Sequence, residues 1–164
     1  MAASSASPQR SPASEPSSAS KSPSSTESPS AVGWSIGQER AGDLEALLAR
    51  IEAGFTADSV ETLRARLGLS IEEMAGLLGM SARTLGRRLE EGKLTSEESD
   101  RLYRYARLFE RAVEALGSES KARSWLKTGQ WALGGRVPLE IARYEPGARE
   151  IKHLLGRIEH GIPV

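Results

Sequence analysis

The chain has 164 residues, with 22 Lys and Arg balanced by 22 Asp and Glu, two histidines and no cysteine. That length suggests one domain or two small ones, and the zero net charge excludes a general polycationic coat for nucleic acid while leaving room for a local basic patch. Without cysteine there is no disulfide, thiol nucleophile or zinc–thiolate site, and His153 and His160 are too few for a histidine metal cage.

No apolar run approaches the ~20 residues of a bilayer span, and the N-terminus has no apolar signal-peptide core. A soluble, cytoplasmic protein with no membrane association is expected. Residues 1–36 form a Ser/Pro-rich tail. Up to Ser30 it has no large hydrophobic side chain after Met1, so it cannot offset its chain entropy by burial and is expected to be disordered. Trp34, just before the first firm helix, is expected to cover apolar surface.

From there every segment reads as helix, and no period-two pattern competes. DLEALLARIEAGF sets Leu44, Leu47, Leu48 and Ile51 on one face and ends at Gly54. This face is expected mainly to complete the core, with a dimer interface as its second possible use. Asp58 and Glu61 have the spacing of a capping box for SVETLRARLGL, whose inner face is Val60, Leu63 and Leu67. Ser70 with Glu73 starts IEEMAGLLG, stopped by Gly79, and Ser81 caps ARTLGRRLEEG, stopped by Gly92. Thr95 with Glu98 opens a long helix closed by Gly117, with Leu102, Tyr105, Ala106, Phe109, Ala112, Val113 and Leu116 as its apolar stripe. Ser118 caps ESKARSWLKT, GQWALGGRVP is a loop, and Pro138 and Pro146 suit the first turns of two further helices. The last carries Ile151, Leu154, Leu155 and Ile158. The fold class is all-α.

Within this series, LSIEEMAGLLGMSARTLGRRL has the layout of a helix-turn-helix. Ala75 permits a close crossing, Gly79 supplies the positive φ of the turn, and Met74, Leu78, Met80 and Leu85 fill the wedge. Ser81, Arg83, Thr84, Arg87, Arg88 and Lys93 are the candidate DNA contacts. In this geometry the start of the second helix meets base edges while flanking cations meet phosphates. Arg is able to pair bidentately with guanine, and Thr to meet the thymine methyl. Arg88 occupies a place where a buried aliphatic residue is common, and Leu89 is expected to take that packing role. The basic surplus is small, so a homodimer on adjacent half-sites is expected to bind operator DNA better than one copy. A packing-only helix pair is the competing reading.

A helix-turn-helix of this kind needs about 60–70 residues, and much chain follows it. The run TLGRRLEEGKLTSEESDRLYRYARLFERAVEALG, then ARSWLKTGQWALGGRVPLEIARYEPGAREIKHLLGRIEHGIPV, resembles the Xre/MbcA/ParS antitoxins. The marks, in order, are Arg101 in EESDRLYR, Trp125-Leu126, Leu133-Gly134-Gly135 before Pro138-Leu139, Gly147-Ala148, and the closing Leu155-Gly156-Arg157-Ile158-Glu159-His160-Gly161. Members of that family often carry Pro-Asn where this chain has Gly129-Gln130, and Tyr-Gly where it has His160-Gly161.

The resemblance implies the antitoxin of a type II toxin–antitoxin pair. Its partner would be a RES-domain toxin that degrades NAD, blocked by the antitoxin's C-terminal domain, with the helix-turn-helix repressing the shared operon. It also implies an all-helical, commonly dimeric protein. The division expected is residues 37–117 for dimerisation and DNA reading and 118–164 for toxin binding.

Candidate toxin contacts are Trp131, Gly134, Gly135, Arg136, Lys152, Arg157, His160, Gly161, Ile162 and Val164. Trp131 is as plausible a core residue as a partner anchor, whereas Trp125 reads as core with Leu126. His160 suits a helix-end cation, and the apolar, proline-stiffened Gly161–Val164 end is either a plain terminus or a plug for the toxin. The glycine pair allows close approach of a partner backbone. Basic residues outnumber acidic ones from Ser118 onward, which would steer the domain toward an acidic or phosphate-binding mouth, although from charge alone an ordinary solvated surface is the preferred reading. No nucleophile–base set, phosphate loop or metal-ligand spacing is present, so neither catalysis nor a cofactor is expected. The alternative function is a stand-alone helix-turn-helix regulator whose C-terminal part dimerises or senses a ligand.

Overall fold

The computed structural model describes residues 44–162. The expectations for the tail, for Trp34 and for Val164 lie outside the described residues.

Among the described residues eight helices follow one another: α1 Leu44–Ala53, α2 Ala57–Leu67, α3 Ile71–Leu78, α4 Ala82–Glu91, α5 Ser96–Leu116, α6 Glu119–Lys127, α7 Pro138–Ile141 and α8 Glu145–Glu159. A single 3-10 turn, Trp131–Leu133, interrupts the loop between α6 and α7. Among the described residues extended pairing is confined to two isolated bridges, Thr56 with Lys93 and Gln130 with Arg136. The all-α class is as the sequence indicates.

Local chemistry sets most boundaries. Ser70 accepts from the Glu73 N–H while Glu73 returns to the Ser70 N–H, and Thr95 and Glu98 do the same for α5. Ser81 and Ser118 cap α4 and α6 by accepting from the N–H three residues on. The α2 start departs from expectation. Thr56, not Asp58, is its N-cap, and no side chain caps it. Tertiary pairing fixes this end instead: Leu94 N–H donates to Phe55 O (2.9 Å), Ala57 N–H to Gly92 O (3.0 Å), and Phe55 N–H to the Ser99 hydroxyl (2.9 Å). Glu61 is thereby released to pair with Arg64.

The long helix α5 is the spine, packed against α1, α2, α3, α6 and α8. Its face of Leu102, Tyr105, Ala106, Phe109 and Ala112 is buried, as are Val60, Leu63 and Leu67 of α2 and Ile151, Leu154 and Leu155 of α8. Each fully buried leucine contributes about 2 kcal/mol through the apolar area it withdraws from water. Of the four apolar positions on α1, only Leu47 and Ile51 enter this core; Leu44 and Leu48 remain 65% and 49% exposed.

One ion-pair hub joins the first half of the chain to the second. Arg66 of α2 donates to Glu110 of α5 (2.5 Å) and to Glu119 of α6 (2.6 Å), and its guanidinium lies 4.8 Å from the centre of the Phe109 ring. Around it, Arg123 donates to Arg66 O and Lys127 to Gly68 O, both at 2.7 Å. Side chains of α6 thus satisfy carbonyls at the α2 C-terminus that the helix itself leaves open.

Candidate DNA-reading helix and partner-binding loop

The α3–α4 unit has the geometry of a helix-turn-helix. Met74, Leu78 and Leu85 are fully buried, and Ala75 is almost so at the crossing. Met80, Ala82 and Leu89 pack against the same core, so Leu89 does take the packing place. Gly79 makes the turn with φ 74°, a conformation that costs an L side chain about 1–2 kcal/mol. Arg101 of α5 locks the turn from behind by donating to the Leu78 carbonyl at 2.8 Å. A Cβ on Gly79 would lie 3.1 Å from that guanidinium. The sequence singled out Arg101 without a role; the structure makes it the clamp of the turn.

Ser81 opens α4 with its hydroxyl accepting from Thr84 N–H at 3.1 Å and lying 2.9 Å from the Thr84 hydroxyl. The first turn of α4 carries no acidic residue, which leaves the positive end of the helix dipole uncancelled. Arg83 and Arg87 are exposed, and together with Thr84, Gly86 and Glu90 they line a concavity of about 580 Å³. Arg87 has only a loose pairing with Glu91, 3.8 Å away. Lys93 is exposed beyond the helix end, its backbone held by the bridge to Thr56.

Arg88 is directed elsewhere. Its Nε donates to both Glu98 oxygens at 3.0–3.1 Å and its Nη1 to Glu91 at 2.9 Å. Glu98 also receives the Thr95 N–H as the returning arm of the capping box. Burial pushes the Glu98 carboxyl up, but the Thr95 N–H and the Arg88 guanidinium outweigh it and the net shift is downward. Arg88 therefore ties the end of α4 to the start of α5, and the outward-facing cations of α4 are Arg83 and Arg87.

In the second half, the α6–α7 loop is drawn closed on itself. Gln130 N–H donates to Arg136 O (3.0 Å), Gly135 N–H to Gln130 O (2.9 Å) and Gly134 N–H to Trp131 O (2.9 Å). The Gln130 side-chain amide donates to the Trp125 and Thr128 carbonyls, both at 2.9 Å. Gly134 and Gly135 take consecutive positive φ angles of 67° and 78° with open space where a Cβ would stand. Close approach within the loop occurs at Gly129 instead, where a Cβ would lie 2.4 Å from the Gly135 carbonyl oxygen.

This closed loop presents Trp131 to solvent, 87% exposed. Leaving an indole so open sacrifices a large burial gain, and it removes the core reading of this residue. Trp125, by contrast, is half-buried against the core beside a fully buried Leu126.

The remaining candidate contacts are spread along α8, from Arg136 near its start through Lys152 at its middle to His160–Ile162 past its end. Arg136 is exposed near the start of the helix, where Leu133, Arg136, Tyr144 and Pro146 share a cavity of about 410 Å³. Lys152 and Arg157 are exposed along α8, and His160, Gly161 and Ile162 follow its last turn. A rise of 1.5 Å per residue puts the two ends of the helix roughly 20 Å apart, with Lys152 about halfway. His160 is a helix-end residue: its Nδ1 lies 2.7 Å from the Gly156 carbonyl. Arg111 of α5 ties down the same end through Glu159, with Glu114 as its second partner.

Comparison with known proteins matches the two halves separately. Residues 46–107 fit the model of the antitoxin Xre-like helix-turn-helix domain, and residues 111–161 fit that of the antitoxin Xre/MbcA/ParS C-terminal toxin-binding domain. The chain is 34% identical to antitoxin Xre of Yersinia enterocolitica over 118 residues, covering 71% of this chain and 80% of the relative. It is 32% identical to antitoxin Xre of Pseudomonas putida over 124 residues, covering 75% and 76% respectively. A chain of the M. tuberculosis MbcT–MbcA toxin–antitoxin complex shares the fold with a TM-score of 0.52 at 23% identity, over 66% of this chain and 96% of that one. The two family regions meet inside α5, so a single continuous helix carries both.

Proposed function

The chain belongs to the Xre antitoxin family, and from that premise we propose that it neutralises a cognate toxin through the Trp131 loop and α8 while α4 holds the operator of the shared operon. The toxin of this reading is a RES-domain enzyme that consumes NAD, and neutralisation is steric, by covering its active-site mouth. The observation that carries the reading is the exposure of Trp131 on a hydrogen-bonded loop inside the region matched by the toxin-binding model. A rigid, solvated indole is the kind of side chain that dominates protein interfaces once buried. Arg136 on the same loop, with Lys152 and Arg157 along α8, supplies positive charge to guide association.

On the DNA side, Arg83, Thr84 and Arg87 face outward from a capped helix start, the arrangement that base reading and phosphate contact need. Two copies would raise operator affinity, and the exposed Leu44 and Leu48 on α1 supply an apolar strip for a second copy to cover. Among the described residues no helix is long and apolar enough to cross a membrane, which accords with action in the cytoplasm. The reading assigns the chain no reaction and no cofactor; its chemistry is recognition.

The test is co-expression. The toxin gene is expressed alone and together with this chain, and growth and NAD content are followed in parallel. Loss of NAD with the toxin alone, restored by co-expression, is the expected result. Rescue of growth with NAD unchanged throughout would contradict the toxin class, and absence of any rescue would contradict the antitoxin role.

A further inference from the structure

Helix α1 packs against α5 with Leu47 and Ile51 buried, and its apolar face does not end there. Leu44 and Leu48 carry it outward into solvent. Four residues further on, the same column reaches Glu52, which is exposed. The open strip is therefore two side chains long. A stable association needs about 800 Å² and 20–30 residues from each partner. Two copies laid strip against strip would bring four leucines together, far short of that size. A dimer held through α1 needs more apolar surface than α1 itself offers.

The chain carries that surface immediately upstream. Residues 1–43 precede the described residues, and after Met1 their large hydrophobic side chains are Val32, Trp34 and Ile36. All three fall within five positions, eight residues before Leu44, with Gly33 and Ser35 between them. On an extended backbone they would share one side and span about 13 Å, against about 6 Å from Leu44 to Leu48 along the helix. Trp34 is of the residue type that buries about 150–250 Å² when covered. The linker GQERAGD, residues 37–43, has no large apolar side chain of its own. Seven residues reach at most about 25 Å, which exceeds the 8–10 Å between the axes of packed helices. The segment is thus long enough to cross to a neighbouring α1. An arm lying on its own α1 would cover the strip and leave a second copy little to hold. An arm lying on the other copy's α1 adds its whole area to association, and two-fold symmetry makes the same contact twice.

We propose that the exposed edge of α1 is covered by the Val32–Ile36 segment of a second copy of this chain, with Trp34 over Leu44 and Leu48 and the two copies exchanging arms. The proposal rests on the reading that the chain dimerises through α1, and it names the segment that completes the contact.

Because the chain contains no cysteine, single cysteines placed in the full-length protein report the contact directly. Ile36→Cys and Leu48→Cys are made separately, mixed in equal amounts and oxidised, and the cross-linked peptides are located by mass mapping. A disulfide between the two variants is expected, and its absence would overturn the proposal. The double variant Ile36→Cys with Leu48→Cys is expected to give covalent dimers. Cross-linking confined to the monomer would place the arm on its own helix and overturn the exchange. Sedimentation of the parent and of Trp34→Ala is the second measurement. The substitution is expected to weaken the dimer by at least about tenfold, the loss of an aromatic anchor. An equally tight dimer in Trp34→Ala would overturn the role of the arm and leave the dimer reading standing. A parent that stays monomeric at every concentration would remove the dimer reading itself, and the proposal with it.

Discussion

Arg101 donates to the carbonyl of Leu78 at 2.8 Å and closes over Gly79, so the turn of the helix-turn-helix is clamped by a side chain from the spine helix. Replacing it leaves the α3 C-terminus without its charged donor. Arg101→Ala is expected to lower stability by about 1.5–3 kcal/mol, the usual worth of a hydrogen bond to a charged group, read as a lower urea midpoint with an unchanged slope. DNA affinity is expected to fall with it, because α4 loses its fixed angle. Unaltered stability would show that the clamp contributes nothing.

The three arginines of α4 separate into two kinds. Arg83→Ala and Arg87→Ala are expected to leave stability within about 0.5 kcal/mol and to weaken operator binding by about 1–3 kcal/mol wherever the arginine is bidentate to a base. Arg88→Ala is expected to do the reverse at first order, destabilising the chain by releasing Glu98 from its partner. Gel-shift titrations and thermal melts of the three variants distinguish these patterns.

Glu98 gives the chain an acid-side dependence of known sign. Its carboxyl is held below the ordinary value of 4.5, so the folded state binds fewer protons than the unfolded one near that pH. The resulting stability is fully present above about 4.5 and is lost as pH falls through the lower folded value. Glu98→Gln is expected to flatten the stability–pH curve below that point and to lower the plateau at neutral pH. A variant with the same acid slope as the parent would contradict the linkage.

Leu44 and Leu48 form the exposed edge of the apolar face of α1, whose other edge, Leu47 and Ile51, is buried. Leu44→Glu with Leu48→Glu is expected to keep the monomer fold and to shift the chain from dimer to monomer in sedimentation. The double variant should also bind a two-half-site operator more weakly. A sedimentation profile equal to that of the parent would remove this strip from the dimer interface.

How much of this was written in the sequence depends on how far each determinant reaches. The caps at Ser70, Ser81, Thr95 and Ser118 were legible because each rests on residues three apart. Asp58 misled because the start of α2 is fixed by pairing with the segment around Gly92–Leu94, far along the chain. Periodicity showed that Leu44, Leu47, Leu48 and Ile51 share a side of α1, but it carries no information on how wide the neighbouring surface is. Arg88 looked like a reader because its partner Glu98 is ten residues on, beyond any helical i,i+4 relation. Arg66 gave no signal at all: its acids are 44 and 53 residues away. Trp131 was undecided between core and surface, since the outcome turns on how the Gln130–Arg136 loop closes.

What Trp131 contributes to neutralisation is read by titrating the purified toxin with the parent chain and with Trp131→Ala while following residual NAD hydrolysis. The substitution touches a side chain that is 87% exposed, so the melting temperature is expected to stay unchanged. Stoichiometric inhibition by the parent is expected, with inhibition by the variant weakened by about 2 kcal/mol or more, the scale of an interface anchor. Equal inhibition by both proteins would contradict it and move the toxin contact away from this loop.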